Sequence, residues 1–269
     1  MQRIISLLAL RPILYGLIGM IISGISFPVA GVVVMENGLI SMRYMLMHGV
    51  ILGGVAAVVL GIPMLTAVIP VNIILVLIML HLGSCGRSLS SSGAAMMVCT
   101  MGLASLVSHI ADVPAKDMLE VLWGSPFALT GTDLILLGAL ALLTLSYTAV
   151  FFRPVSMVFF DSDTASSMGV PVKAHNTAMT MLCALTVSVA MRVLGALLID
   201  ALLVLPVISA ERKAQSLRAL FIRSSLTGLL LSLTGYFLAL LFNFPVSGTL
   251  AILAAASYAF NSVYRRIKK

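Results

Sequence analysis

The sequence predicts an all-α fold: a polytopic transmembrane helical bundle of about eight or nine membrane helices. Three observations carry that reading. Of 269 residues, 61% are hydrophobic and only 9% charged, with a mean hydropathy of +1.15. A water-soluble domain carries roughly 25% charged residues, so the apolar surface of this chain needs lipid. The apolar residues also fall in runs near the roughly 20 residues that a spanning helix requires. Finally, the net charge is +7, and most Lys and Arg flank those runs. That is the pattern of membrane topology, not of nucleic-acid binding.

Nine segments are candidates for crossing, at about 12–35, 39–62, 65–83, 92–111, 133–153, 176–193, 194–209, 219–242 and 248–264. The first carries GLIGMIISG and the second HGVILGGVAA, small-residue runs that let helices approach closely. Residues 1–35 read as entering the membrane as part of the fold, since no small-residue cleavage site follows Arg3 and Arg11. The segment 194–209 is short for a crossing. The run Met179–Ala210 is too long for one span and short for two, and Gly195 and Pro206 mark interruption points. The whole chain, 1–269, reads as one transmembrane domain.

Basic residues orient the connections. YRRIKK (Tyr264–Lys269) and ERKAQSLR (Glu211–Arg218) are expected on the cytoplasmic side. Parity then puts Arg153–His175 on that side too. The connection ADVPAKDMLEVLWGSPFALTG, with three acids and one lysine, falls outside, where Trp123 and Phe127 suit an interface. Counting back places the N-terminus outside, against the sense of Arg3 and Arg11. Cys85, Cys99 and Cys183 make no CxxC pair, so neither disulfides nor a cysteine metal site are expected.

The connection RPVSMVFFDSDTASSMGVPVKAH is the most informative loop. Asp161 or Asp163 can cap the first amides of a short helix over DTASSMG. Gly169 can take a left-handed stop, and Pro171 blocks continuation. Such a helix reads either as an interfacial connector or as a handle for another protein.

FFDSDTASSMGVPV resembles the SFDPE-x-A-x-x-x-GVPV stretch of the membrane permeases of zinc, manganese and iron importers of the ATP-binding-cassette type. ALTVSVAMRVLGALLIDALLVLPVISA (Ala184–Ala210), LWGSPFALTGTDL (Leu122–Leu134) and FPVSGTLAILAAASY are similar to three further blocks of that family. The resemblance covers most of the chain. It implies a fold similar to the cobalamin-type importer permeases, in the bacterial cytoplasmic (inner) membrane. It implies a second permease subunit, identical or paralogous, and cytoplasmic ATPase subunits that bind ATP. A metal-binding delivery protein is implied at the outer face, and zinc or manganese as cargo, with no permanently bound cofactor. Residues at about 154–175 become the coupling region, with Phe160, Asp161, Asp163, Gly169, Val170 and Pro171 at the ATPase contact.

The chain departs from the family at two points. The second membrane segment of the family carries a GDALSHA-like motif whose Asp and His stand four apart on one helix face, a pairing of donors that suits a divalent cation. Here the stretch is SMRYMLMHG: His48 aligns with the histidine, and Tyr44 stands in the aspartate position. Conversely LLIDALLV places Asp200 where the family has a small or hydroxyl residue. The paired departure suggests Asp200 as a displaced carboxylate that forms a transient metal site with His48. A charged acid at a helix centre costs about 2.5–3.5 kcal/mol, so it faces a cavity or a partner. An ion pair with Arg192, eight residues earlier and about 12 Å along a continuous helix, and a protonated, hydrogen-bonded Asp200 are the structural alternatives.

Other candidates are weaker. His109 and Asp112 fit a solvated helix end, and His81 and His175 fit the interface. Seventeen Met residues recur without ligand spacing. Without a P-loop GxxxxGK[ST], the chain is not expected to hydrolyse ATP itself. An ion-gradient-driven secondary carrier using Asp200 as its coupling site is the competing reading. An intramembrane hydrolase built on Ser26, Ser188 or His48 has no supporting nucleophile motif.

Overall fold

The computed structural model describes residues 10–84, 88–112, 124–211 and 214–267. Among them every regular element is a helix: α1 (Arg11–Glu36), α2 (Ile40–Leu60), α3 (Met64–Ser84), α4 (Leu89–Ile110), a 3₁₀ turn (Pro126–Ala128), α5 (Gly131–Val150), α6 (Phe152–Phe160), α7 (Ser162–Ser167), α8 (Val172–Leu194), α9 (Ala196–Leu203), α10 (Leu205–Glu211), α11 (Leu217–Phe242) and α12 (Val246–Ile267). The all-α expectation holds. Seven of these helices are long and apolar enough to cross a membrane: α1 to α5, α8 and α11. Within α12 the apolar stretch Val246–Ala259 is shorter.

The expected segment 194–209 is not one helix. Gly195 adopts φ 90° and ψ 151°, a region that essentially only glycine enters, and α8 ends there. The run resumes as α9 and α10, with Val204 between them.

Local chemistry sets most boundaries. Ser88 caps α4 by accepting from the Ser91 amide at 3.2 Å, and Ser216 caps α11 by accepting from the Ala219 amide at 3.2 Å. Thr130 and Asp133 cap α5 reciprocally. The Thr130 amide donates to Asp133 Oδ2 at 3.0 Å, and the Asp133 amide to Thr130 Oγ1 at 3.3 Å. Gly61 and Asn243 close α2 and α11 in the left-handed conformation.

The chain forms two compact units, each discontinuous in sequence. The first takes residues 1–32, 122–142 and 193–269. In it α11 packs on α10 and α12, and α9 lies on α12. Helix α1 approaches closely: a Cβ on Gly31 would overlap the Leu203 carbonyl oxygen, and a Cβ on Gly24 would overlap Ser232 Oγ. Tyr236 is fully buried and its hydroxyl donates to the Ile13 carbonyl. The second unit takes residues 33–121 and 143–192, with α2 packed on α3 and α4.

Candidate functional site

The coupling region belongs wholly to the second unit. Asp161 is the helix-capping residue of the two acids weighed from sequence. With extended backbone at φ −160° and ψ 105°, its carboxylate accepts from the Asp163 amide at 3.0 Å and the Thr164 amide at 3.2 Å. It also accepts from the Thr164 hydroxyl. These donors hold the Asp161 carboxyl below the ordinary carboxylate range, with the Thr164 hydroxyl the largest cause. Asp163 lies in the first turn, where a negative charge complements the helix dipole.

Gly169 takes φ 83°, its amide donates to the Ser166 carbonyl at 3.0 Å, and the Val170 amide donates to the Ala165 carbonyl at 3.0 Å. Together these two bonds make a Schellman stop. Pro171 follows, and its carbonyl accepts from the His175 amide as α8 begins. One face of the short helix is anchored by buried Ala165, while Phe160 and Met168 stand 81% and 68% exposed at its two ends. The result is a polar, capped single-turn helix flanked by two exposed apolar side chains.

His48 lies on α2 and is half-buried. Its Nδ1 is 2.8 Å from the Tyr44 carbonyl oxygen. A carbonyl only accepts, so Nδ1 carries the proton, and in the neutral ring Nε2 keeps its lone pair for a ligand. Tyr44 is 38% exposed, and the Arg43 guanidinium stacks 4.6 Å from its ring centroid. Arg43 itself is buried, a cation next to the position where the resembling family has an acid. Nothing in the residue pattern singled out Arg43.

Asp200 lies on α9 in the first unit, half-buried, with its Oδ1 shut off from solvent. Arg192 is in the last turn of α8, before the Gly195 break, so the eight-residue relation on one helix does not hold. His48 and Asp200 belong to different units. Among the described residues, no three His, Cys, Asp or Glu side chains form a cluster able to hold a metal.

The GSPFAL segment backs onto the break. Gly124, at φ 47°, lies so close to Leu194 and Gly195 that a Cβ would overlap their backbone. Phe127, expected at an interface, packs on Tyr236 with ring centroids 5.6 Å apart. Trp123 lies outside the described residues, as do Cys85 and most of the acidic connection before it.

Two contacts escaped sequence reasoning. Asn72, 1% exposed on α3, donates through Nδ2 to Ser188 Oγ at 2.8 Å and to the Leu46 carbonyl at 3.4 Å. Ser188 donates to the Ala184 carbonyl at 2.6 Å. Ser188 is thus part of a knot joining α2, α3 and α8. His175 is buried in the protein: its Nδ1 is 2.8 Å from the Tyr147 hydroxyl, and the Phe151 ring lies 5.4 Å away. His109 and Asp112 do sit at the exposed end of α4.

Comparison with known proteins bears on this arrangement. The ABC 3 transport family matches residues 10–265. The chain is 27% identical over 239 residues to the manganese import system permease protein ScaB of Streptococcus pneumoniae, covering 89% of this chain and 85% of that one. It is 22% identical over 241 residues to the manganese transport system membrane protein MntC of Halalkalibacterium halodurans, covering 89% and 82%. Among solved structures, PsaBC from Streptococcus pneumoniae in complex with Fab superposes with a TM-score of 0.82 at 23% identity, covering 99% of this chain and 98% of its own. At that identity the likeness shows the fold.

Proposed function

This chain belongs to the ABC 3 transport family, and on that premise we propose that it is the permease subunit of an importer that carries a divalent transition metal into the bacterial cytoplasm. Manganese is the leading cargo and zinc the second. ATP is hydrolysed on separate ATPase subunits that bind α7, and a metal-binding protein delivers the ion at the outer face. A second permease, identical or paralogous, completes the pathway, and the two compact units act as one transmembrane domain. The observation that carries the reading is the family match together with a capped, solvent-exposed α7 between α6 and α8. The relatives named as manganese permeases set the order of the metals.

His48 and Asp200 are proposed as groups the ion meets on its way. Imidazole nitrogen and carboxylate oxygen suit manganese and zinc alike. The hydrogen bond to the Tyr44 carbonyl leaves His48 Nε2 available as a donor. The short helix carrying Asp200, bounded by Gly195, is the kind of interrupted element that lines transport paths. Tyr44 and Arg192 are proposed to tune the path or pair structurally.

The test is metal accumulation in cells that express the chain with its ATPase and delivery protein. Wild type is compared with Asp200→Asn and His48→Ala at matched membrane levels. Loss of uptake of one metal in both variants is expected. Unchanged uptake in both removes the pair from the path. Uptake that collapses with the ion gradient while ATP is intact would move the chain to the secondary carriers.

A further inference from the structure

We propose that Tyr147 and His175 form a clasp that turns the coupling loop into a stiff lever, so that displacement of α7 reaches α5 and α8 together. This rests on the coupling reading above. Tyr147 stands in the last turn of α5 and His175 in the first turn of α8, 28 residues apart in sequence, and between them the chain runs out through α6 and α7 and back. The Tyr147 hydroxyl and His175 Nδ1 meet at 2.8 Å, with His175 only 9% exposed. Phe151 closes the other side, its ring centroid 5.0 Å from Tyr147 and 5.4 Å from His175. Farther along the same two helices, Thr144 and Thr186 pair through their hydroxyls at 3.2 Å, fully within the protein.

The physical consequence follows from where these contacts fall. A loop whose two stems slide independently absorbs a push by shearing them. Two directional contacts between these helices fix their register, because a slid hydrogen bond leaves its buried groups unsatisfied. Phenylalanine would fill the Tyr147 volume equally well. The hydroxyl therefore contributes register rather than bulk. Tyr147 and His175 are positioning residues that act through α7.

The experiment uses the full permease complex with its ATPase subunits and delivery protein in liposomes. Manganese uptake and phosphate release are measured in the same sample. Tyr147→Phe is expected to carry about threefold fewer ions per ATP, the factor that an inter-helix hydrogen bond of ~0.6 kcal/mol represents. The yield of assembled complex stays unchanged. His175→Ala shows the same loss, and His175→Asn, whose amide can reach the place of Nδ1, restores most of it. A wild-type ratio of ions to ATP in Tyr147→Phe overturns the clasp while leaving the coupling reading intact. So does a fall in uptake and hydrolysis that merely follows the yield of complex. If the wild-type complex moves no metal on addition of ATP, the coupling reading itself fails and the clasp fails with it.

Discussion

Helix α1 meets the C-terminal end of α9 across Gly31, and replacing that glycine by alanine sets two effects against each other. Alanine is the better helix former by about 0.8–1.0 kcal/mol, so propensity alone predicts that Gly31→Ala stabilises. The added Cβ, however, would overlap the Leu203 carbonyl oxygen and stand 3.0 Å from Val207 Cγ2. The obstructing atom is backbone, not the far end of a flexible side chain, so one helix must shift. Overpacking of this kind costs typically about 1–3 kcal/mol, occasionally more. The net expectation is destabilisation by about 0–2 kcal/mol, toward the upper end because the obstructing atom is backbone. Gly102 supplies the control, because nothing lies within 4 Å of a Cβ there. Thermal unfolding of the purified protein in one detergent reads both. At about 2–4 °C per kcal/mol, Gly31→Ala should lower the midpoint by several degrees, and Gly102→Ala should hold or raise it. A Gly31→Ala midpoint at or above wild type would refute the close approach of α1 to α9.

Asp161→Ala removes an acceptor of three donors from a six-residue helix. Co-purification of the ATPase should fall at least severalfold, while the unfolding midpoint of the permease stays put. Because its pKa is lowered, the charged Asp161 cap is fully present above the ordinary carboxylate range and is lost only as pH falls through its lowered pKa. ATPase binding should therefore be flat from about pH 6 to 8 as far as this residue is concerned. Asn72→Ala severs the bridge among α2, α3 and α8. With inter-helix hydrogen bonds in membranes worth about 0.6–1.7 kcal/mol, the midpoint should drop by a few degrees. A Cβ on Gly49 would overlap Asn72 Oδ1, so Gly49→Ala should cost less in the Asn72→Ala background than alone.

Much of this protein is written in short stretches. Membrane helices follow from run length, because each satisfies its own backbone and needs only apolar side chains outside. The cap and stop of α7 follow from Asp161 and Gly169, whose partners lie within four residues. The family blocks follow in the same way, and they alone carried the reading as a permease.

The remainder depended on partners far away in the chain. Gly195 could be marked as an interruption, but its φ of 90° is held by packing around it, Gly124 included. That break separates Arg192 from the helix of Asp200, which no periodicity reveals. His175, at the end of the cytoplasmic connection, reads from sequence as interfacial. It is buried because Tyr147, 28 residues away, supplies the hydrogen bond that burial demands. The contact between Asn72 and Ser188, 116 residues apart, was not legible for the same reason. What the sequence determined by itself were features whose interactions close within a turn, such as the cap and stop of α7, or whose solvent is lipid. What only the tertiary structure decided was which polar groups are satisfied, since each needs a partner that sequence distance conceals.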